Sequence, residues 1–152
     1  IGWANEVIPK KRALKFDEME YEMPAEVGPE CFLEVRKRIK EKHRKYVGWR
    51  VLYRTVAEDD AYLSMSYGRP TVAISLHQNA GLPYWNYFTD IETIFRRYGG
   101  RPHWGKKHTL TAHDLEPLYP LWDRFRNVRR RMDPDGVFMS PFLRGLLEEE
   151  GM

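Results

Sequence analysis

One cysteine, Cys31, stands in 152 residues. A lone thiol excludes an internal disulfide framework and fits a reducing compartment, and its ordinary role is that of a small buried hydrophobe. No apolar run approaches the roughly 20 residues that a helix needs to cross a bilayer, so no transmembrane segment is expected. The opening Ile1-Gly2-Trp3-Ala4-Asn5-Glu6 lacks both the basic and the apolar stretch of a secretory signal, which together with the thiol reading points to the cytoplasm. A chain that starts at Ile1 rather than at Met reads as part of a longer protein. Excess charge of one sign is missing too: 25 basic residues are interspersed with 22 acidic ones, and the net +3 makes too shallow a field to call for nucleic acid. There is no Gly-X-Gly-X-X-Gly and no phosphate-binding loop, which excludes a self-contained dinucleotide-binding unit. With 42% hydrophobic and 31% charged residues, and neither repeats nor low-complexity tracts, the chain suits one globular domain.

The densest cluster of chemistry-bearing residues follows Gly99-Gly100, which ends a helical pattern, and Pro102, which bars the helix from restarting. A strand there puts Trp104, Lys106 and His108 on one face and His103, Gly105 and Lys107 on the other. Gly105 leaves room for a planar ring to approach the backbone, although a plain edge strand with solvated lysines gives the same pattern. His103, His108 and His113 are spaced by five, but alternation splits the first two and no cysteine or carboxylate cluster completes a zinc set. No metal is expected.

Residues 1–12 read as irregular, with Pro9-Lys10-Lys11-Arg12 a solvated turn or an interdomain contact. Leu14 and Phe16 then alternate on one parity and Met19, Tyr21 and Met23 on the other, which predicts a bulge near Asp17-Glu18. Glu18, Glu20 and Glu22 share one face of this strand and read as a wet surface. Pro24 and Gly28-Pro29 break it, and Phe32, Val35 and Ile39 recur at helical spacing, with basic and acidic residues mixed on the solvated side. Residues 47–56 predict a second strand, with Val47, Trp49, Val51 and Tyr53 on one parity and Arg50, Leu52, Arg54 and Val56 on the other. An arginine amid apolar neighbours is costly to bury without an anion or fixed acceptor, so Arg54 needs a partner. Asp59-Asp60 lacks the further spaced ligands of a cation site.

In a third strand Val72, Ile74 and Leu76 alternate with Thr71, Ala73, Ser75, His77 and Asn79, giving one core face and one small polar face. A helix striped by Phe88, Ile91, Phe95 and Tyr98 precedes the His103 strand. The order strand, helix, strand, strand, helix, strand predicts an α+β fold: a ferredoxin-like antiparallel sheet (β-α-β-β-α-β) with helices on one face. C-terminal helices follow, with a core stripe of Leu118, Trp122, Phe125, Val128 and Met132, and Asp133-Pro134-Asp135-Gly136 forms a turn.

The run Gly99-Gly100-Arg101-Pro102-His103-Trp104-Gly105-Lys106 resembles the His-Trp-Gly-Lys signature in the C-terminal half of the sugar-lactone and alditol oxidoreductases, flavoproteins of the vanillyl-alcohol oxidase class. Three further stretches agree in order. These are Arg54-Thr55-Val56-Ala57-Glu58-Asp59-Asp60, then Ser64 through Tyr67-Gly68-Arg69-Pro70, and Leu118-Tyr119-Pro120 with Arg131-Met132-Asp133-Pro134-Asp135-Gly136-Val137-Phe138. The family often ends Asn-Pro-Tyr where this chain has Ser140-Pro141-Phe142.

The resemblance implies that residues 1–152 are a single C-terminal substrate-binding cap domain of a larger FAD-dependent enzyme, similar to D-arabinono-1,4-lactone oxidase. That enzyme would oxidise the CH–OH group of a sugar lactone or polyol by hydride transfer to the flavin. FAD would be bound mainly by the chain's own N-terminal domain, so this portion alone is expected to be inactive and to retain no flavin. The implied catalytic residues are Lys106, His77 and Arg54, with Ser75 joining them in substrate binding and His103 and Lys106 beside the cofactor. Lys106 would neutralise charge on the reduced flavin or the substrate oxygen, His77 would accept the hydroxyl proton, and His103 would pack near the ring or fix Lys106. Arg54 matches the second member of a Glu-X-Arg pair, whose glutamate is replaced here by Leu52. Strand parity predicts that Arg54, His77 and Lys106 converge on the helix-free face as uncompensated positive charge. The rival is a freestanding ferredoxin-like module for RNA or a small regulatory ligand. RNA-binding sheets stack bases on exposed aromatics, and the face bearing Ser75, His77 and Asn79 has none on that strand.

Overall fold

A computed structural model describes Trp3, residues 14–45 and residues 47–147, so the turn expected at Pro9-Lys10-Lys11-Arg12 lies outside the described residues. Strand β1 (Phe16–Pro24) leads into helix α1 (Gly28–Arg38), which runs on as a π-turn over Ile39–His43. Then come β2 (Leu52–Val56), β3 (Thr71–Asn79), helix α2 (Trp85–Arg97) and the two-residue β4 (Arg101–Pro102). The sheet order is β2-β3-β1-β4 and every neighbouring pair is antiparallel. The expected α+β class and element order are both found. Short helices α3 (Ala112–Leu115), α4 (Trp122–Met132) and α5 (Pro141–Leu147) complete the chain.

The ladder between β1 and β3 runs unbroken from Phe16 opposite Asn79 to Pro24 opposite Thr71. The expected bulge at Asp17-Glu18 is therefore absent. The parity change in β1 has another cause: Phe16 belongs to the same face as Glu18 and Glu20, whereas Met19, Tyr21 and Met23 belong to the other. Those three meet Leu76, Ile74 and Val72 in register, and all six are buried beneath Cys31 and Val35 of α1 and Phe88, Ile91 and Phe95 of α2. Each such side chain contributes about 1.5–3 kcal/mol on removal from water, and this apolar face fixes both the register and the side on which α1 and α2 lie. Cys31 is a core residue, and burial pushes its thiol up to about 12.

Two glycines set the exit from α2. Gly99 takes the left-handed conformation at φ 67°, and a Cβ on Gly100 would lie 2.8 Å from the Phe95 carbonyl oxygen. The chain thus enters β4 immediately and pairs with β1 through Tyr21 and Glu22.

Two expected strands are shorter than their alternation suggested. The segment before Leu52 bends at Trp49, whose ring stacks 5.9 Å from His77 while its indole N–H donates to Asn79 Oδ1 at 2.5 Å. Beyond Pro102 the alternation expected over residues 103–108 gives way to a turn in which the Lys106 N–H donates to the His103 carbonyl at 3.0 Å. The C-terminal stripe also fades along its length: Trp122 is buried, but Val128 and Met132 are exposed. Asp133 closes the following turn by accepting from the Val137 and Phe138 amides at 2.7 and 3.0 Å.

Candidate active site

Alternation on β1 and β3 sends a second set of residues to the face opposite α1 and α2. There Glu18 stands across from His77 and Glu20 across from Ser75, while Leu52 of β2 faces Ser75 from its other side. Arg54 rises from the same face of β2, two residues along, and reaches back to Glu20. One end of the face is roofed by residues 57–70. Ser66 and Thr71 each donate to the buried Glu22 carboxylate at 2.7 Å, and the Trp104 indole donates to the Leu63 carbonyl at 2.9 Å. Asp59 organises this loop by accepting from the Ala61 amide and the Ser64 hydroxyl. No group of residues suited to hold a metal ion occurs among the described residues.

Lys106 arrives by the turn after β4. The His103 and Lys107 amides donate to the Glu20 and Glu18 carbonyls, each at 2.9 Å, so the chain rejoins β1 on both sides of the excursion. Between them the His103 Nδ1 accepts from the Gly105 amide at 3.1 Å. The Lys106 ammonium then lies 2.8 Å from Glu18 Oε1 and 3.1 Å from Glu20 Oε2. The Lys106 amide donates to the His103 carbonyl at 3.0 Å, so both residues belong to the same turn.

Arg54, His77 and Lys106 do come together on the face opposite α1 and α2, with Ser75 between them, but the charge there is not uncompensated. Glu20 pairs with both Arg54 and Lys106, Glu18 pairs with Lys106, and His77 Nε2 lies 3.3 Å from Glu18 Oε1. Nor is the face wet as the three alternating glutamates suggested, since Glu20 and Glu22 are 4% and 5% exposed. Burial raises the affinity of Glu20 for a proton. The hydrogen bond from Ser75, the hydrogen bond and charge of Lys106 and the charge of Arg54 more than offset this, holding the carboxyl below its ordinary 4.5. The Ser75 hydroxyl donates to Glu20 and accepts from Arg54 at 3.2 Å. His77 is flanked by Phe16 and Trp49, with ring centroids at 5.2 and 5.9 Å, and its buried Nδ1 has no partner among the described residues.

Sequence reasoning missed Glu18, Glu20, Phe16 and Trp49 as members of this site. The available signal was the glutamate row itself, set on the face opposite an unbroken apolar row and paired in register with Ser75 and His77. Beside the row a cleft of about 500 Å³ is lined by Phe16, Glu18, Trp104, Lys106 and Phe142. His108, the middle histidine of the spaced three, is driven toward its neutral form by burial, partly countered by the charge of Glu92.

The depressed Glu20 carboxyl has a consequence for acid stability. Its folded value lies below 4.5, so its contribution is complete above that pH and is lost as pH falls through the folded value. The urea midpoint should therefore drop below about pH 4.5, and less steeply for Glu20→Gln. Parallel declines for the two proteins would remove Glu20 as a cause.

An antiparallel sheet with α1 and α2 on one face and a buried, charge-paired polar row on the other defines an α+β domain whose polar residues are gathered at one cleft. This chain belongs to the D-arabinono-1,4-lactone oxidase family, a family of oxidoreductases, whose profile matches residues 2–146. It is 42% identical over 144 residues to the L-gulono-1,4-lactone dehydrogenase of Mycobacterium tuberculosis, a match covering 95% of this chain and 33% of that protein. It is 34% identical to the L-gulonolactone oxidase of Mus musculus, covering 82% of this chain and 29% of that protein. The alditol oxidase of a Streptomyces species is 39% identical over 62% of this chain and 23% of its own length. The chain thus spans about a third or less of these relatives. Among the described residues no helix is long and apolar enough to cross a membrane.

Proposed function

We propose that this chain is the substrate-binding cap of an FAD-dependent oxidoreductase that oxidises a CH–OH group of a sugar lactone or polyol, the FAD-binding domain lying elsewhere in the longer protein. The observation that carries this reading is the composition of the floor. Arg54 and Lys106 supply donors, Glu18 and Glu20 supply acceptors, and the charges pair within the site. A neutral polyhydroxylated molecule, every hydroxyl of which both donates and accepts, uses both kinds of group. The family membership and the lactone and alditol names of the relatives support the same substrate class.

The residues present suit contact with one part of FAD. The cleft beside Lys106 has aromatic walls at Phe16, Trp104 and Phe142 and admits a planar ring, whereas no stretch among the described residues cradles a pyrophosphate. Trp104, Gly105 and Lys106 would border that ring. When bound, FAD supplies the hydride acceptor. The chain's own residues do the rest. Lys106 stabilises negative charge growing at the cleft, and Arg54, steadied by Glu20 and Ser75, orients a substrate oxygen. Glu18 lines the cleft and touches His77, and this pair takes up the hydroxyl proton, with His77 Nε2 as its inner member. His103 acts at one remove, by shaping the turn that delivers Lys106. The carboxylates along β1 disfavour the phosphates of RNA, which counts against the freestanding RNA module.

The test uses the full-length protein. It should show flavin absorbance and turn over at least one of L-gulono-1,4-lactone, D-arabinono-1,4-lactone and xylitol, with oxygen or an artificial dye as acceptor. Failure with all three substrates and both acceptors, alongside salt-sensitive binding of an oligonucleotide, would transfer the assignment to the binding module.

A further inference from the structure

We propose that Glu20 is the specificity-determining residue of this floor for charge: by neutralising Arg54 and Lys106 it admits neutral polyhydroxylated molecules and turns away their carboxylate forms. The inference deepens the preceding reading and rests on it for the substrate class. An arginine and a lysine brought together on one sheet face would ordinarily make a receptor for a carboxylate, the guanidinium fork accommodating both oxygens. Here both cations are already engaged. Arg54 and Lys106 each pair with Glu20, and Lys106 pairs also with Glu18, so two carboxylates stand against two cations. Glu20 is the shared member, and at 4% exposure it is fixed in place by the Ser75 hydroxyl as well.

The discrimination matters chemically because a sugar lactone hydrolyses to an aldonate that keeps the carbon skeleton and its hydroxyls, gains one hydroxyl from the opened ring and carries a carboxylate. Their shared hydroxyls separate two such molecules weakly, whereas an unpaired charge separates them strongly. A floor without Glu20 would offer one uncompensated cation to the aldonate and favour the hydrolysed form.

Register provides a control. Leu52, Ser75 and Glu20 form one row across β2, β3 and β1, and Arg54 lies on the same face two residues beyond Leu52. A carboxylate at position 52 would restore the balance from the other side of Ser75. A merely structural role of Glu20 in β1 could not be replaced from two strands away.

The experiment measures D-gluconate binding to the full-length protein by calorimetry and its inhibition constant against a neutral substrate. Glu20→Gln should bind gluconate about tenfold more tightly than wild type or better, with no gain in affinity for the neutral substrate. The double variant Glu20→Gln/Leu52→Glu should return to the weak binding of wild type. If Glu20→Gln loses its near-ultraviolet circular dichroism, Glu18→Gln removes one charge from the same ammonium and should show the same gain. Gluconate binding unchanged in the folded variant, or wild type binding gluconate as tightly as the neutral lactone, overturns the proposal. Absence of lactone and polyol turnover in wild type would sink the substrate reading instead, and the calorimetric comparison would still decide the role of Glu20.

Discussion

Lys106→Met in the full-length protein should lower turnover by a factor of about 100 to 1000, the scale for losing one preorganised stabilising group. The side chain is not a solvated lysine: it is 18% exposed, and its ammonium is held between Glu18 and Glu20 at the mouth of the cleft. Methionine fills a similar volume and removes the charge, so the loss should fall mainly on kcat. The fold should survive, because the turn is held by backbone bonds from His103 and Lys107 that the substitution leaves in place. Steady-state kinetics with a thermal melt checks both halves of the expectation. Turnover within about twofold of wild type, on the same scale, would take Lys106 out of the chemistry.

A larger effect on stability is expected on the opposite face of the sheet. Glu92 on α2 is 3% exposed and accepts from the Tyr21 hydroxyl at 2.5 Å, the Thr109 amide at 2.9 Å and the Thr109 hydroxyl at 2.5 Å. Burial, reinforced by the neighbouring carboxylate, drives the Tyr21 phenol far above its ordinary value, so it remains a donor. Glu92→Ala strands the Tyr21 hydroxyl in the core and removes the acceptor of the exposed Thr109, and the protein should lose about 2–3 kcal/mol of unfolding free energy, the scale for a buried donor left without an acceptor. Urea denaturation measures this directly. A loss below about 1 kcal/mol would mean that water or a shifted neighbour replaces the carboxylate. Thr109 lies three residues beyond Lys106, so the same substitution should also loosen the anchorage of the turn and reduce turnover.

The part of the site carried by regular strands was legible in the sequence, and the part carried by turns and distant pairing was not. Ser75 and His77 could be assigned to the face opposite α1 and α2 because Val72, Ile74 and Leu76 mark the other face without interruption. Arg54 followed from its need for a partner, but the partner lies 34 residues away in sequence, and that of Lys106 lies 88 away. Local pattern cannot show such pairings, so Glu18 and Glu20 looked like a solvated stripe. Phe16 suggested a bulge because an aromatic residue was assumed to belong to the core, whereas it lines the site beside His77. The alternation of His103 to His108 misled for a different reason. A histidine two residues before a glycine can accept that glycine's amide and turn the chain, and here it does so.

The turn bearing Lys106 is tied by its backbone to the carbonyls of Glu20 and Glu18, the two residues whose carboxylates hold its ammonium. Anchor and counter-ions therefore travel on one strand. Any displacement of β1 would carry the ammonium and its carboxylates together, so their spacing is set by one strand rather than by the loop of residues 57–70. The electrostatic setting of the cleft is thus written into the register of a single strand.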